Sequence, residues 1–285
     1  MKSLASLAFI STLSTSSLTA AVVYADFNDN SSGGLGSFTA GAGQGGGSGF
    51  LAGDVWANTG TIAVISGDLS APAGTNYAIT QGPSTAQSTQ GSFTSGRQTT
   101  RATATTLGTA SDLWFSFLLN QPTNNSRGGI TFNQNPSQPG NPRIVATGID
   151  VRLGLGATLQ GAGEGASMPL ASDTLILGQL QIDASGDETL NIWVNPDVSG
   201  GIAGLGAADT SLTENAASLD GGVTRVGIQS YSSDNQGGIV DAFILSDDAD
   251  PNQAFADVTG VSVIPEPSSL ALSFLAALGL LSRRR

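Results

Sequence analysis

The chain contains no histidine and no cysteine, and its only lysine is Lys2, at the start of 285 residues. Ser-His-Asp and Cys-His catalysis, zinc sites built on His or Cys, and Schiff-base chemistry in the body are therefore excluded. No disulfide can form, so the body must hold together by its core alone, which a domain of this length can do. Charge is also scarce. Asp, Glu, Lys and Arg make up 11% of the residues, too few for helices with charged outer faces. Bases are the scarcer sign, with 10 Lys and Arg against 22 Asp and Glu, a net charge of -12. Setting aside Lys2, Arg283, Arg284, Arg285 and Glu266 at the two ends leaves six basic and 21 acidic residues, a net charge of -15 for the body. Such a surface repels phosphate backbones, so no nucleic-acid partner is expected.

Glycine is abundant, at 39 residues, and Ser, Thr and Asn recur throughout. That composition predicts strands joined by polar turns. Leu113, Phe115, Phe117 and Leu119 share one phase of a two-residue period; so do Ile149, Val151, Leu153 and Leu155, and so do Leu190, Ile192 and Val194. Further strands are predicted over Ile62–Ile65, Ile130–Phe132, Leu175–Ile182, Val223–Ser230 and Ile239–Leu245, and Val22–Phe27 reads as the first strand. Asp183 to Glu188 reads as a hairpin turn and Asn195-Pro196-Asp197 as a strand stop. Gly33–Gly49 and Ser84–Ser111 read as low-complexity loops or weak edge strands. No helix is predicted between the strands. The expected fold is all-β, a single two-sheet sandwich over residues 22–262.

The ends read differently. Lys2, then an apolar stretch from Leu4 to Leu18, then small residues at Thr19-Ala20-Ala21, predicts a secretory signal peptide over residues 1–21. Residues 263–285 hold Pro265-Glu266-Pro267, an apolar run from Leu270 to Leu281, and Arg283-Arg284-Arg285. The prolines stop the last strand, and terminal arginines after an uncharged run form a stop-transfer pattern. The run is shorter than the roughly 20 residues that span a bilayer core, so a short transmembrane helix is expected, with local thinning and arginine snorkelling.

In that order, the three features resemble the PEP-CTERM sorting signal. The resemblance implies recognition of Pro265, Glu266 and Pro267 by an exosortase-type membrane enzyme, with Arg283, Arg284 and Arg285 closing the signal. It also implies a transient stay in the inner membrane of a Gram-negative bacterium that makes extracellular polysaccharide, followed by transfer to the cell envelope or extracellular matrix. An ordinary membrane anchor predicts the same topology.

A second resemblance lies in the body. Leu180-Gln181-Ile182-Asp183, the turn at Gly186-Asp187, Leu190-Asn191-Ile192-Trp193-Val194-Asn195-Pro196, Val226-Gly227-Ile228 and Gly238-Ile239-Val240-Asp241-Ala242-Phe243-Ile244-Leu245 look like the last strands of laminin-G-like, concanavalin-A-like domains. That resemblance implies a jelly roll, in a group where many members bind glycans. Where the group commonly has an acid after the Asp, this chain has Ala242.

Several side chains are candidates for chemistry. Glu164, Glu188 and Glu214 are isolated and read as loop residues, so the paired carboxylates of a glycosidase are not apparent. Asp26 and Asp29 after the first strand, with Asp247, Asp248 and Asp250 after the last, offer oxygen ligands for calcium, or simply polar turns. No other cofactor is expected. Trp114, Trp193 and Tyr231 are able to stack on a sugar ring, or to pack into a core. The leading expectation is a non-enzymatic exported protein with a structural or adhesive role. A carbohydrate-binding module acting on extracellular polysaccharide is the alternative, and a glycoside hydrolase the third.

Overall fold

The structure, a computed structural model, describes residues 21–25, 36–37, 48–54, 56–58, 62–66, 69–79, 84–88, 98–109, 112–134, 142–156, 159–183, 186–232 and 236–261. The first eight strands are β1 (Val22–Ala25), β2 (Gly36–Ser37), β3 (Ala57–Asn58), β4 (Ile62–Ser66), β5 (Ser84–Ser88), β6 (Gln98–Leu107), β7 (Leu113–Asn120) and β8 (Ser126–Phe132). Then come β9 (Arg143–Thr147), β10 (Asp150–Gly154), β11 (Ala166–Ser167), β12 (Asp173–Gln181) and β13 (Glu188–Val194). A short helix α1 (Gly201–Gly204), strands β14 (Thr210–Glu214), β15 (Val223–Ser232) and β16 (Ile239–Ser246), and helix α2 (Pro251–Thr259) complete the order.

One sheet has nine strands in the order β14-β13-β12-β7-β16-β5-β4-β2, with β1 also on β16; the other has seven, β11-β10-β9-β8-β15-β6-β3. The two sheets make the expected sandwich, and its main core lies between them. Phe115 and Phe117 of β7 meet Ile130 and Phe132 of β8 there, with Ile144, Val151, Ile176, Ile192, Val226 and Ile228. Phe115 and Phe132 sit edge to face at 5.5 Å, directly linking the two sheets.

Strand β7 is central because both of its faces are apolar. Its second face carries Trp114 and Leu118, which pack under the loop around Leu69–Ile79 and under α2. Asp250 caps α2, its side chain accepting from Asn252 N at 2.9 Å, and Pro251 stands at the first turn. Gly260 ends it in the left-handed region at φ 71°, with its N–H on Ala256 O. Thus the acidic run after β16 builds a nine-residue helix where the sequence reading expected none, because Asp-Pro at one end and Gly at the other are capping signals in their own right.

Two other expectations are corrected. The Ser84–Ser111 stretch contains β6, a ten-residue strand lying inside its sheet between β3 and β15. Threonine suits a pleated position, and Gln98, Thr99 and Thr100 are buried in it. Ile149 does not join the Val151 and Leu153 face: it stands in the turn before β10, 52% exposed, beside Gly148 at φ 60°.

Tyr77, on the loop over β7, shares a hydrogen bond of 3.0 Å with Ser116 Oγ, which in turn donates to Val258 O of α2. Burial of the hydroxyl pushes its pKa well above the ordinary tyrosine range. Because the folded pKa is the higher one, this protonation supports folding fully below about pH 10, the unfolded value, and the support is lost as pH rises from there toward the folded value. In denaturant titrations, the stability advantage of the wild type over Tyr77→Phe is therefore expected to shrink above about pH 10; an advantage that stays constant with pH contradicts the assignment.

Candidate functional site

Bases are scarce in this body, and their placement is not even. Arg101, Arg127, Arg143, Arg152 and Arg225 all lie on the seven-stranded sheet, in β6, β8, β9, β10 and β15. Strand alternation then separates them by face. Val226, Ile228, Ile130, Phe132, Ile144, Ala146, Val151 and Leu153 point into the core, so their neighbours form the opposite, outer face. Register assembles that face into rows. Tyr231, Arg127, Thr147 and Asp150 form one, Gln98, Gln229, Gly129, Val145 and Arg152 the next, and Thr100, Gly227, Thr131, Arg143 and Gly154 a third. Arg101 falls on the inward phase and is buried over the Phe50 ring at 4.3 Å, its Nε donating to Asp54 O.

Two of the outer arginines have acidic neighbours. Arg152 Nη2 lies 3.4 Å from Asp150 Oδ2, and Arg225 Nη2 lies 4.0 Å from Asp54 Oδ2. Arg127 donates from Nη1 to the Tyr231 hydroxyl at 2.7 Å, with its guanidinium 5.2 Å from the ring centroid. Arg143 has no ion pair among the described residues, and its Nε is buried without a hydrogen-bond partner. Burial holds its pKa below the usual arginine range; Tyr231 raises it somewhat and the neighbouring positive charge of Arg127 lowers it. Thr147 Oγ1, Arg152 Nε and Gln229 Oε1 are likewise buried without partners. All four of these atoms belong to side chains of this one face, where orphaned polar groups are costly unless something satisfies them.

Among the described side chains singled out from sequence, Tyr231 sits in the first row and is 8% exposed, and the others fall elsewhere. The sugar-stacking reading of Trp114 and Trp193 is corrected. They are 1% and 8% exposed, stack on each other at 5.8 Å, and are closed off by Phe255 of α2, edge-on to Trp114 at 5.4 Å. A sugar ring has no free tryptophan face to meet there.

Asp247 accepts from Ala21 N and Gly108 N, Asp248 from Asp250 N, and Asp250 caps α2. The β1–β16 register pairs Val22 with Ser246 but Ala25 with Phe243, so β1 runs away from Asp247 toward Ala25. Asp26 and Asp29 lie outside the described residues, and among those described no three acidic side chains converge on a metal position. Glu188 and Glu214, expected in loops, are strand residues that face each other across β13 and β14. Both hold backbone amides, those of Ala216 and Gly156, and Glu164 holds that of Gly161. Asp241 is buried too; it accepts from Leu69 N and Ala242 N at a bulge where Ala242 takes φ 47°.

Pro265, Glu266, Pro267, Arg283, Arg284, Arg285 and the Leu270–Leu281 run lie outside the described residues, as does the signal segment before Ala21. Among the described residues, no helix is long and apolar enough to cross a membrane.

Comparison with known proteins bears on the tail and the body separately. Residues 263–285 match the family model described as the PEP-CTERM protein-sorting motif. The chain carries that motif, at the position where the resemblance placed it. None of the curated proteins matches this chain. Among solved structures, the body is similar to a protein of unknown function, SO2946, from Shewanella oneidensis MR-1, at 13% identity over 85% of this chain and 92% of that one, with a TM-score of 0.47. It is similar to an endo-β-1,4-glucuronan lyase from the fungus Trichoderma reesei at 12% identity, over 77% and 98% of the two chains, with a TM-score of 0.37. A third likeness is to the carbohydrate-binding module CBM66 from Bacillus subtilis, at 10% identity over 68% and 92%, with a TM-score of 0.33.

Sequence reasoning missed the arginine face. Arg152 stands as the polar member between Val151 and Leu153, but Arg127 and Arg143 fall outside the segments predicted as strands. What brings the three together is the register between the consecutive strands β8, β9 and β10, which alternation within one strand does not encode.

Proposed function

We propose that this chain is an exported protein that an exosortase-type enzyme passes to the cell envelope or extracellular polysaccharide matrix, where its sandwich serves a non-catalytic structural or adhesive role. The observation that carries this reading is the sorting motif at residues 263–285, immediately after a body that reaches a closed end. Helix α2 is capped at both termini, and Val261 is the last described residue before the motif. The three glutamates of the body support the non-catalytic part, since each is engaged in holding a backbone amide.

A tagged chain with Pro265, Glu266 and Pro267 all replaced by alanine is expected to accumulate in the inner-membrane fraction at precursor size, while the wild type moves to the envelope or medium. Equal distribution of the two after fractionation and blotting sinks the reading. The carbohydrate-binding alternative is favoured by one observation, the outer face of the seven-stranded sheet, where Arg127, Arg152 and Arg143 stand in adjoining rows.

A further inference from the structure

We infer that the outer face of the nine-stranded sheet, where Gln179, Gln181, Asn191 and Ser211 stand in adjoining rows of β12, β13 and β14, binds a neutral polysaccharide chain through its hydroxyls. The inference rests on the proposed exported, adhesive role and names a ligand class for it. This face belongs to the opposite sheet from the outer arginines.

Alternation and register build the face. Ile176, Leu180, Leu190 and Ile192 point into the main core and Leu212 packs against it, so the residues between them look outward. Gln181, Thr189 and Thr213 form one row, and Gln179, Asn191 and Ser211 the next. Gln181, Ser211 and Thr213 are exposed, while Gln179, Thr189 and Asn191 are half-buried, so a polymer laid across the sheet meets side chains of both rows. Further along the same phase, Leu177 and Trp193 pack with Val198, Ile202 and Leu205. The polar rows end there, against the segment that carries α1.

The side chains of these rows hold one another in place. Ser211 Oγ donates to Asn191 Oδ1 at 2.7 Å, and Asn191 Nδ2 to Gln179 Oε1 at 3.4 Å. Gln179 Nε2 donates to Asp112 Oδ2 at 2.7 Å, where Gln181 Nε2 also donates at 3.2 Å. The hydroxyls of Thr189 and Thr213 share a bond of 3.0 Å. Long amide side chains on an open surface are ordinarily free to turn, and ordering them on binding costs affinity; here the network orders them before a ligand arrives. Each amide nitrogen still has a second hydrogen and each amide oxygen a further lone pair to offer outward. A sugar hydroxyl both donates and accepts, so neighbouring hydroxyls match neighbouring amides.

Charge selects the neutral class. Asp112 is the one charged side chain in this network, and it accepts from two amides. Glu188 and Glu214 fall on the inward phase and hold backbone amides. These rows offer no base to an acidic sugar, and a body with a net charge of -15 opposes the approach of an anionic chain. They also hold no large apolar side chain on which a peptide could pack.

The test uses the full chain in mild detergent and four polymers: dextran, galactomannan and hydroxyethyl cellulose, which are neutral, and polygalacturonate, which is acidic. Isothermal titration is expected to show saturable binding to at least one neutral polymer, with polygalacturonate bound at least about tenfold more weakly. Gln179→Ala combined with Asn191→Ala removes the middle of the network and is expected to weaken neutral-polymer binding by about tenfold or more. Thr105→Ala removes an exposed hydroxyl from β6 of the other sheet and is expected to leave affinity within about twofold.

Four results overturn the inference: no saturable binding to any of the three neutral polymers, polygalacturonate bound as tightly as the best of them, wild-type affinity in the double variant, or an equal loss from Thr105→Ala. Self-association of the wild type in sedimentation, abolished by the double variant and found in place of polymer binding, assigns the face to a second copy of the chain and overturns it too. If the double variant fails to fold, Gln181→Ala, at an exposed position, takes its place with an expected loss of about threefold or more, and unchanged affinity is then the contrary result. Failure here in a correctly sorted protein removes the ligand and leaves the sorting role. Binding by a protein whose location ignores its tail removes the sorting role and leaves the ligand.

Discussion

Gly178→Ala is expected to destabilise the protein by about 3 kcal/mol, the upper part of the range for overpacking a dense core. A Cβ on Gly178 would stand 2.0 Å from Cζ of Phe115, 2.3 Å from Cε2 and 2.7 Å from Cε1. The ring lies across β12 from its neighbour β7, fully buried, with Phe132 of the other sheet edge-on at 5.5 Å. It has nowhere to swing without moving the contact that joins the sheets. The backbone of Gly178 is ordinary strand, so space alone, not φ, demands glycine here. Phe115→Leu removes the ring and leaves a partial cavity, with a cost of its own. The double variant is then expected to be more stable than the sum of the two single losses implies, because the added methyl meets a smaller side chain. Urea unfolding of the four proteins measures this, and strict additivity refutes the steric account.

That contact also marks how far the fold was readable from sequence. The alternation of Leu113, Phe115, Phe117 and Leu119 placed them on one face, and that face is buried in the main core. The opposite phase, Trp114 and Leu118, is buried as well, and an alternation rule cannot anticipate that when the cover comes from elements far away in sequence. Helix α2 is different. Asp250-Pro251 and Gly260 were available as start and stop signals, but the surrounding aspartates drew attention to calcium and turns. β6 was hidden because threonine-rich, low-complexity composition resembles a loop, while its partners β15 and β3 are supplied by pairing rather than by local pattern.

The sites divide in the same way. The sorting motif is linear: three prolyl and glutamyl residues, an apolar run and terminal arginines are contiguous, so they were legible as written. The arginine face is assembled from β8, β9, β10 and β15, whose register decides that Arg127 stands opposite Tyr231 and Arg143 opposite Thr131. A one-residue slip in β9 would turn Arg143 into the core and bring Ile144 to the surface, so the hydrophobic core itself enforces the site. Packing and candidate function here share a single constraint.

Phe255→Ala is the other substitution with a large expected cost, about 3 to 5 kcal/mol for truncating a buried aromatic. Phe255 is 3% exposed on the inner face of α2, edge-on to Trp114, which itself stacks on Trp193. Through this ring the helix covers an apolar patch on the nine-stranded sheet that includes Leu177, Val198 and Ile244. A nine-residue helix is too short to persist in water unaided, so its packed face must hold it. Losing Phe255 is expected to do more than leave a cavity: the helix frays, and the tryptophan pair meets solvent. Two readouts separate these effects. Tryptophan emission is expected to shift to the red in the folded variant under native conditions, before any global unfolding. By contrast, Asp250→Ala, which removes only the cap, is expected to cost about 1 kcal/mol and leave emission unchanged. A Phe255→Ala protein with wild-type emission and a loss below about 1 kcal/mol would mean that α2 rests on the sheet without closing it. The C-terminal end of α2 is also held by backbone contact with the loop over β7: Thr259 O accepts from Ala78 N at 2.9 Å. Gly260 lies so close to Ala78 that a Cβ would come within 2.8 Å of its carbonyl carbon.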